Sequence, residues 1–211
     1  MPDAILFDYW RSSAAYRVRI ALNLKGVAYR SVPVNLAEGG QRTDDYLARN
    51  PQGFVPMLEM DGERLTQSLA IFDYLDAQVP EPPFVPKQPA DRAHVLALAL
   101  TIACDIHPLN NLRVLNHLRD AFGQDEEARG AWVRQWVAEG FAALEALAAP
   151  RAGTFLHGDA VSMADICLVP QLYNARRFGV SLEPYPILRR AEASAAALPA
   201  FAAAHPDRHK A

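Results

Sequence analysis

The chain is short of several features that define whole classes of proteins. It has only 2 cysteines among 211 residues, Cys104 and Cys167, and neither has a partner at metal-ligand spacing. A disulfide framework and a cysteine-based metal site are therefore excluded, and we expect both thiols to pack in the core of a cytoplasmic protein. No charged and then hydrophobic leader precedes the first predicted strand, and no apolar run approaches the length of a membrane span.

The chain also lacks an excess of either charge. Its formal net charge is −3 at pH 7, and no block of like charges occurs. Because nucleic-acid binding needs a concentrated basic surface, nucleic acid is not an expected partner. Hydrophobic residues make up 51% of the chain, which is enough to bury the core of one large or two modest domains. These properties favour a globular protein that acts on a small molecule, without a metal ion and away from membranes.

Proline is concentrated in one segment. Residues 80–89 hold five prolines, which remove amide donors and fix φ, so a linker is predicted here between two domains. Strand and helix patterns alternate before it, which is typical of a small α/β domain, and Asp61-Gly62 predicts a hairpin with antiparallel strands. Helical patterns rich in Ala and Leu follow it and predict an all-helical bundle. The predicted elements are strands 4–9, 28–34, 57–60 and 63–66, and helices 15–25, 41–49, 68–78, 90–121, 126–148, 162–178 and 185–203.

Two serines stand between the first predicted strand and the first predicted helix. Ser12 and Ser13 follow Arg11, where unpaired helix N–H groups and the helix dipole favour negative charge. A serine hydroxyl there can donate a further hydrogen bond to a thiolate or an oxyanion. Ser is also among the preferred N-cap residues, and from the sequence alone a helix N-cap without chemical function is the favoured interpretation.

A second candidate site lies around the predicted hairpin. A cis Val55–Pro56 bond at the start of a strand would leave the Val55 peptide free to pair with an extended peptide ligand. Gln67 and Ser68 open the next helix, where amide groups can hold a carboxylate. A trans proline that only ends a loop is the alternative. Ser162-Met-Ala-Asp165 has the spacing of a capping box, which favours a structural role for Asp165 over a catalytic one.

Together these motifs resemble the cytosolic glutathione S-transferase family, in order and across nearly the whole chain. The similarity is strongest to the zeta class, whose motif Ser-Ser-Cys-x-Trp-Arg-Val-Arg-Ile-Ala-Leu corresponds here to residues 12–22. Further similar stretches are Gln67-Ser-Leu-Ala-Ile71, Leu168-Val-Pro-Gln171 and Asn174-Ala-Arg-Arg-Phe178. The resemblance implies a thioredoxin-like glutathione-binding domain over residues 1–80, the Pro-rich linker over 81–89 and an all-helical substrate-binding domain over 90–211. It also implies a homodimer.

The resemblance assigns roles to individual residues. Ser12 corresponds to the hydroxyl that hydrogen-bonds the glutathione sulfur, with Ser13 and Arg11 beside it as further catalytic candidates. The cofactor-binding candidates are Ser12, Val55, the cis Pro56, Gln67, Ser68, His107 and Asn111. The substrate is expected to be a small dicarboxylic diketo acid, and guanidinium groups bind carboxylates as planar forks. The candidates for that binding are Arg11, Arg176 and Arg177, whereas Arg17 and Arg19 are expected to be structural or at a subunit interface.

The implied reaction is the glutathione-dependent cis–trans isomerisation of a maleyl diketo acid, first of all maleylacetoacetate to fumarylacetoacetate. Ala14 and Tyr16 depart from the zeta motif, which has Cys and Trp there. His107 and the pair Asn110-Asn111 are more similar to bacterial maleylpyruvate isomerases, so maleylpyruvate stays open as the substrate. General conjugation of electrophiles to glutathione and a non-catalytic binding module are the other two alternatives.

Overall fold

The computed structural model describes residues 4–210, which form two compact units. The first unit contains residues 4–84 together with 197–210, and the second contains residues 85–196. The sequence-based boundaries differ from this division, since they place the whole of 90–211 in the helical domain. The difference arises because the last helix packs along the first helix of the chain, a contact that no local pattern in the sequence encodes.

The first unit is built on a four-stranded mixed sheet. Its strands are β1 (Ala4–Asp8), β2 (Tyr29–Pro33), β3 (Met57–Met60) and β4 (Glu63–Thr66), in the order β2-β1-β3-β4. β1 is parallel to β2 and antiparallel to β3, and β3 is antiparallel to β4. Asp61 and Gly62 both have positive φ, at 54° and 82°, which confirms the predicted hairpin. The helices of this unit are α1 (Ser13–Leu24), α2 (Asp44–Leu47), α3 (Ser68–Gln78) and α9 (Pro199–Ala204).

A buried arginine ties three parts of the first unit together. The side chain of Arg19, in the middle of α1, is fully buried and places Nη1 2.8 and 2.6 Å from the two carboxylate oxygens of Asp8. Its Nε donates to the carbonyl of Ala204 at 3.0 Å, and its Nη2 donates to the carbonyl of Trp10 at 2.9 Å. One guanidinium therefore fixes the end of β1, the loop that follows it and helix α9.

A buried lysine fixes the end of α3 and the turn that follows. The ammonium group of Lys25 lies 2.6 Å from Asp76, and it donates to the carbonyls of Val79 and Pro82 at the same distance. It also lies 4.2 Å from the centre of the Phe84 ring. The peptide bond before Pro82 is cis, which the sequence analysis did not anticipate. The first half of the proline-rich segment is therefore held firmly in the first unit.

The second unit is a bundle of helices around one buried helix. Its α-helices are α4 (Pro89–Leu100), α5 (Leu112–Phe122), α6 (Glu126–Ala148), α7 (Met163–Arg177) and α8 (Pro186–Ala196). Val133, Val137, Phe141 and Leu144 recur at helical spacing along α6 and are completely buried. Helix α7 is buried along almost its whole length, which explains its continuous apolar run.

Two predicted helices are interrupted. The predicted helix 90–121 ends at Leu100 and continues as a π-helix over Thr101–Ile106 and a 3-10 turn over His107–Asn110 before α5 begins. Pro108 has no N–H to continue an α-helix, which explains the break. The predicted helix 185–203 is divided into α8 and α9 before Pro199 for the same reason.

The π-helix corrects the expectation that both cysteines are buried. Cys167 is buried as expected, but Cys104 is exposed, because the π-helix turns Ile102 and Ile106 inward and leaves Cys104 outside.

A second expectation concerns the length of apolar runs. The helical run Pro89–Phe122 contains an 18-residue window of mean hydropathy 1.3 and is long and apolar enough, by length and composition alone, to cross a membrane. The expectation that no run reaches that length is therefore wrong. Core helices of soluble proteins also satisfy this criterion.

A close contact between α6 and the π-helix gives a stability prediction. A Cβ at Gly140 would lie 2.3 Å from Cγ1 of the buried Ile106, so Gly140→Ala overpacks the bundle. We expect it to lower the free energy of unfolding by about 1–3 kcal/mol in urea titrations, despite the higher helix propensity of Ala. Gly130→Ala on the same helix is the matched control, because its Cβ would meet only the mobile end of Arg134. Gly130→Ala should raise the free energy of unfolding by up to about 1 kcal/mol. A change in the same direction for both variants would contradict the close contact between Gly140 and Ile106.

Candidate active site

Ser12 caps the first helix and keeps its hydroxyl proton available. Its Oγ accepts a hydrogen bond from the N–H of Ala15 at 3.2 Å, and its own N–H donates to the carbonyl of Tyr9 at 2.8 Å. Within residues 4–210 the hydroxyl makes no hydrogen bond as a donor. The side chain is half-buried. The N-cap interpretation is therefore confirmed, and it leaves Ser12 able to donate to an anion at the same time.

Ser13 and Arg11 flank Ser12 in different environments. Ser13 is the first residue of α1 and is buried, with 6% of its surface exposed. Arg11 is exposed and lies with Cζ 5.2 Å from the centre of the Trp10 ring. Ser12 is thus the more accessible of the two hydroxyls, and Arg11 places a cation immediately before it.

The register of the sheet brings the candidate site residues of the first unit to one end of the sheet. Phe7 of β1 is opposite Met57 of β3, and Met57 is opposite Thr66 of β4. The loop after β1, the residues before β3 and the residues after β4 therefore meet at the same end of the sheet. These are the segments that contain Ser12, Val55–Pro56 and Gln67-Ser68. The structure brings these candidates together even though 56 positions separate the first from the last.

The Val55–Pro56 peptide bond is cis, as the resemblance implied. Within the described residues, neither the N–H nor the C=O of Val55 takes part in a hydrogen bond. Buried backbone groups are almost always paired in folded proteins, so this peptide is available to a ligand in extended conformation.

Gln67 and Ser68 begin α3 in an unusual way. Gln67 has φ 66° and ψ 114°, a conformation that non-glycine residues rarely adopt and that is concentrated at ligand-binding positions. Its Nε2 donates to Oε1 of Gln52 at 2.8 Å. No side chain caps the helix, so the first amide groups of α3, beside the buried Ser68, are left for an anionic group such as a carboxylate.

In the second unit, His107 and Asn111 lie at either end of the 3-10 turn that follows the π-helix. His107 is half-buried, and Asn111 caps α5 by accepting a hydrogen bond from the N–H of Arg113 at 3.1 Å. The amide nitrogen of Asn111 makes no hydrogen bond within residues 4–210. π-helical turns are frequent at functional sites, since they reorient the residues that follow. That signal was not readable from the sequence.

The two arginines at the end of α7 differ in their partners. Arg176 forms a bidentate ion pair with the carboxylate of Glu192 on α8. Arg177 is exposed and lies with Cζ 5.6 Å from the ring of Phe178. Arg176 is therefore engaged with a carboxylate of the protein itself.

Asp165 is confirmed in its structural role. Its carboxylate accepts hydrogen bonds from the N–H and Oγ of Ser162, both at 2.9 Å, and from the N–H of Leu156 at 2.9 Å. Burial raises the pKa of this carboxyl group to about 6, although the hydrogen bonds oppose the shift. The group holds the start of α7 in place.

The described part of the site contains the groups that glutathione binding requires. Three groups lie at one end of the sheet. They are a hydroxyl that can donate to a thiolate, a free peptide that can pair with a cysteinyl backbone, and an uncapped helix start that can hold a carboxylate. No cluster of three or more metal-ligating side chains occurs among residues 4–210. The sequence analysis missed one neighbour of this site, Lys210, which lies against Trp10.

Comparisons with known proteins agree with this geometry. The glutathione S-transferase N-terminal and C-terminal domain models match residues 2–77 and 126–203. A maleylacetoacetate isomerase from Rhizobium meliloti is 52% identical over 99% of this chain and 98% of its own length.

Two solved structures are similar over nearly their whole length. One is the holo structure of a zeta-class maleylpyruvate isomerase, which is 45% identical, with a TM-score of 0.95 over 97% of both chains. The other is a maleylacetoacetate isomerase from Anaeromyxobacter dehalogenans with glutathione bound, which is 46% identical, with a TM-score of 0.88 over 98% of this chain and 96% of its own. The chain belongs to the glutathione S-transferase family, in its zeta class.

Proposed function

We propose that this protein is a glutathione-dependent cis–trans isomerase of a maleyl diketo acid, with maleylacetoacetate as its substrate. The observation that carries the proposal is Ser12, whose hydroxyl caps α1 and still has its proton to donate, at the same end of the sheet as the open Val55 peptide. The relatives named maleylacetoacetate isomerase, at 52% and 46% identity over almost the whole chain, support the same reaction.

The chain's own residues hold and polarise the reactants. Glutathione, when bound, supplies the thiolate whose reversible addition to the C=C bond allows rotation about it. Val55 pairs with its peptide backbone, and Gln67 and the start of α3 hold its γ-glutamyl end. Ser12 donates to the sulfur, which together with the N-terminus of α1 favours the thiolate at neutral pH. Ser13 supports this turn from a buried position.

The substrate has a carboxylate at each end, and Arg11 and Arg177 are proposed to bind carboxylates, as the resemblance implies. Arg11 precedes Ser12 directly, and Arg177 ends α7. Charge-assisted bidentate hydrogen bonds from guanidinium give orientation as well as affinity. His107 and Asn111 are further proposed glutathione contacts, as the resemblance implies.

A second candidate substrate is maleylpyruvate, which would undergo the same reaction. The TM-score of 0.95 with the holo structure of a maleylpyruvate isomerase favours it. The proposal also includes a homodimer in the cytoplasm. The large exposed side chains Leu100, Leu112 and Phe122, all on the run from α4 to α5, support a surface that a second copy covers.

The test is a spectrophotometric assay of both substrates in parallel, with and without glutathione. The proposal is supported if turnover of maleylacetoacetate requires glutathione and the concentration of glutathione does not change. Preference for maleylpyruvate would assign the second candidate. Consumption of glutathione with an electrophile, without isomerisation, would indicate a conjugating transferase, and binding to immobilised glutathione without either reaction would indicate a binding module.

Replacing Arg177 gives a prediction for the substrate carboxylate. We expect Arg177→Ala to raise the KM for the diketo acid by about 10-fold to 100-fold, the equivalent of one charge-assisted hydrogen bond of about 1.5–3 kcal/mol, without changing the KM for glutathione. Arg190→Ala removes the same charge from an exposed position on α8 and serves as the control. Equal KM values for the two variants would remove Arg177 from the site.

A further inference from the structure

The last residues of the described chain are held against the loop that contains Ser12. Residues 206–208 form a 3-10 turn after α9, and Nε2 of His209 lies 3.0 Å from the carbonyl of Ala203. Burial lowers the pKa of His209, so this ring is neutral at pH 7 and serves as a hydrogen-bond donor. Helix α9 is itself fixed to α1 by Arg19 through the carbonyl of Ala204 and by Asn23 through the carbonyl of Ala200. The tail therefore has a defined position in the first unit.

Two cations lie against one aromatic ring at this place. The ammonium of Lys210 lies 5.4 Å from the centre of the Trp10 ring, and Cζ of Arg11 lies 5.2 Å from the same centre. The two charges are therefore within about 11 Å of each other. Positions 10 and 210 are 200 residues apart in the chain, and only the packing of α9 on α1 brings them together.

The carboxylate at the end of β1 is engaged elsewhere, since Asp8 is buried in its ion pair with Arg19. Within residues 4–210, no carboxylate forms a salt bridge with Arg11 or Lys210. Two like charges near one ring repel each other, and an anionic ligand that contacts both would relieve that repulsion. The Trp10 ring keeps both cations in place through cation–π attraction.

We propose that Lys210 binds a carboxylate of the substrate together with Arg11, with Trp10 holding the two cations. The inference rests on the proposed function, because it specifies the part of the site that recognises a dicarboxylate. It assigns Lys210 a role in substrate specificity. Lys210 orients the substrate and takes no part in the stabilisation of the thiolate.

The test compares Lys210→Gln with Lys210→Arg and with Lys87→Gln. Lys87 is an exposed lysine in the proline-rich segment, so its variant removes the same charge away from Trp10. We expect Lys210→Gln to raise the KM for the diketo acid about threefold to fivefold, as for a solvent-exposed ion pair, with kcat and the KM for glutathione within twofold of wild type. Lys210→Arg should retain the wild-type KM, and Lys87→Gln should not change it.

A binding measurement separates this inference from the proposed function. Calorimetry of succinate and of butyrate with the full chain needs no turnover. Weaker binding of succinate to Lys210→Gln, with butyrate unaffected, supports the dicarboxylate site even if the wild type isomerises neither substrate. Equal succinate affinity in Lys210→Gln and Lys87→Gln overturns the inference even if the wild type is an active isomerase.

Discussion

We expect Arg19→Met to lower the free energy of unfolding by about 3–5 kcal/mol, the largest stability effect of a single substitution proposed for this chain. The substitution leaves the Asp8 carboxylate, 2% exposed, without its counter-charge in the interior. An uncompensated buried charge costs far more than the favourable energy of a well-formed pair, because the folded state must then bear the full desolvation of the ion. Net stabilities of single domains are about 5–15 kcal/mol, so this loss is a large fraction of the total.

The other two partners of Arg19 add to this loss. The carbonyls of Trp10 and Ala204 lose their donors, and each unsatisfied buried group costs about 1–3 kcal/mol where water does not replace the donor. Since Ala204 belongs to α9, we expect the C-terminal helix to loosen first. Limited proteolysis of Arg19→Met should therefore begin within residues 197–210.

Urea unfolding followed by circular dichroism measures the effect. Arg189→Met is the control, because it breaks the exposed pair between Arg189 and Glu183 and should cost at most about 1 kcal/mol. The double variant Asp8→Asn/Arg19→Met no longer buries an unpaired charge and should be more stable than Arg19→Met alone. A loss in Arg19→Met no larger than in Arg189→Met would contradict the structural role of the buried pair.

Arg19 also shows where sequence reasoning reached its limit. Its position in a helix next to apolar residues predicted a structural or interfacial role. The structure confirms the structural role. Its partners were not predictable, since one of them lies 185 residues away in the chain. The same distance explains why the sequence analysis placed 197–211 in the helical domain. Local periodicity determines that a helix forms, but it does not determine which surface that helix packs on.

The elements with local signals were predicted well. The Asp61-Gly62 hairpin, the capping box of Ser162 and Asp165, and helix 126–148 all agree with the structure, because each depends on residues within a few positions of one another. The breaks near Pro108 and Pro199 were missed because the surrounding Ala- and Leu-rich pattern is helical on both sides. A proline inside a helical pattern predicts an end or a kink at the preceding residue, and that rule would have placed both breaks.

For the site, the resemblance supplied residues that spacing alone left open. The sequence alone favoured a plain N-cap at Ser12, and the structure shows that it is an N-cap. The sequence did not show that the hydroxyl proton of Ser12 stays available. It also did not show that Val55 and Gln67 lie at the same end of the sheet as Ser12. The cis bond before Pro56 has no local sequence signature and follows from the family alone. Lys210 was missed, because nothing near it in the chain indicates a site.

Replacing Ser12 is the central catalytic prediction. We expect Ser12→Ala to reduce kcat/KM for isomerisation about 10-fold to 100-fold at pH 7, because loss of the hydrogen bond to the sulfur lowers the fraction of glutathione that is present as thiolate. A hydrogen bond to a charged group contributes about 1.5–3 kcal/mol, and one pKa unit is equivalent to 1.36 kcal/mol. The pKa of the bound thiol should therefore rise by about 1–2 units. Because the thiolate is the active form, the activity of Ser12→Ala should recover as the pH is raised, and the pH–rate profile measures this shift.

The N-cap complicates this substitution, and a second variant resolves it. Ser12→Ala also removes the acceptor for the N–H of Ala15, which costs about 0.5–2 kcal/mol of stability. Ser12→Asp caps a helix as well as Ser does, but its carboxylate accepts hydrogen bonds only and repels a thiolate. We expect Ser12→Asp to keep the wild-type midpoint in urea and to lose at least as much activity as Ser12→Ala, whereas Ser12→Thr should retain both. An active Ser12→Asp would show that Ser12 only caps α1, and the donor to the thiolate would then have to be sought at Ser13 or among the amides of the first turn.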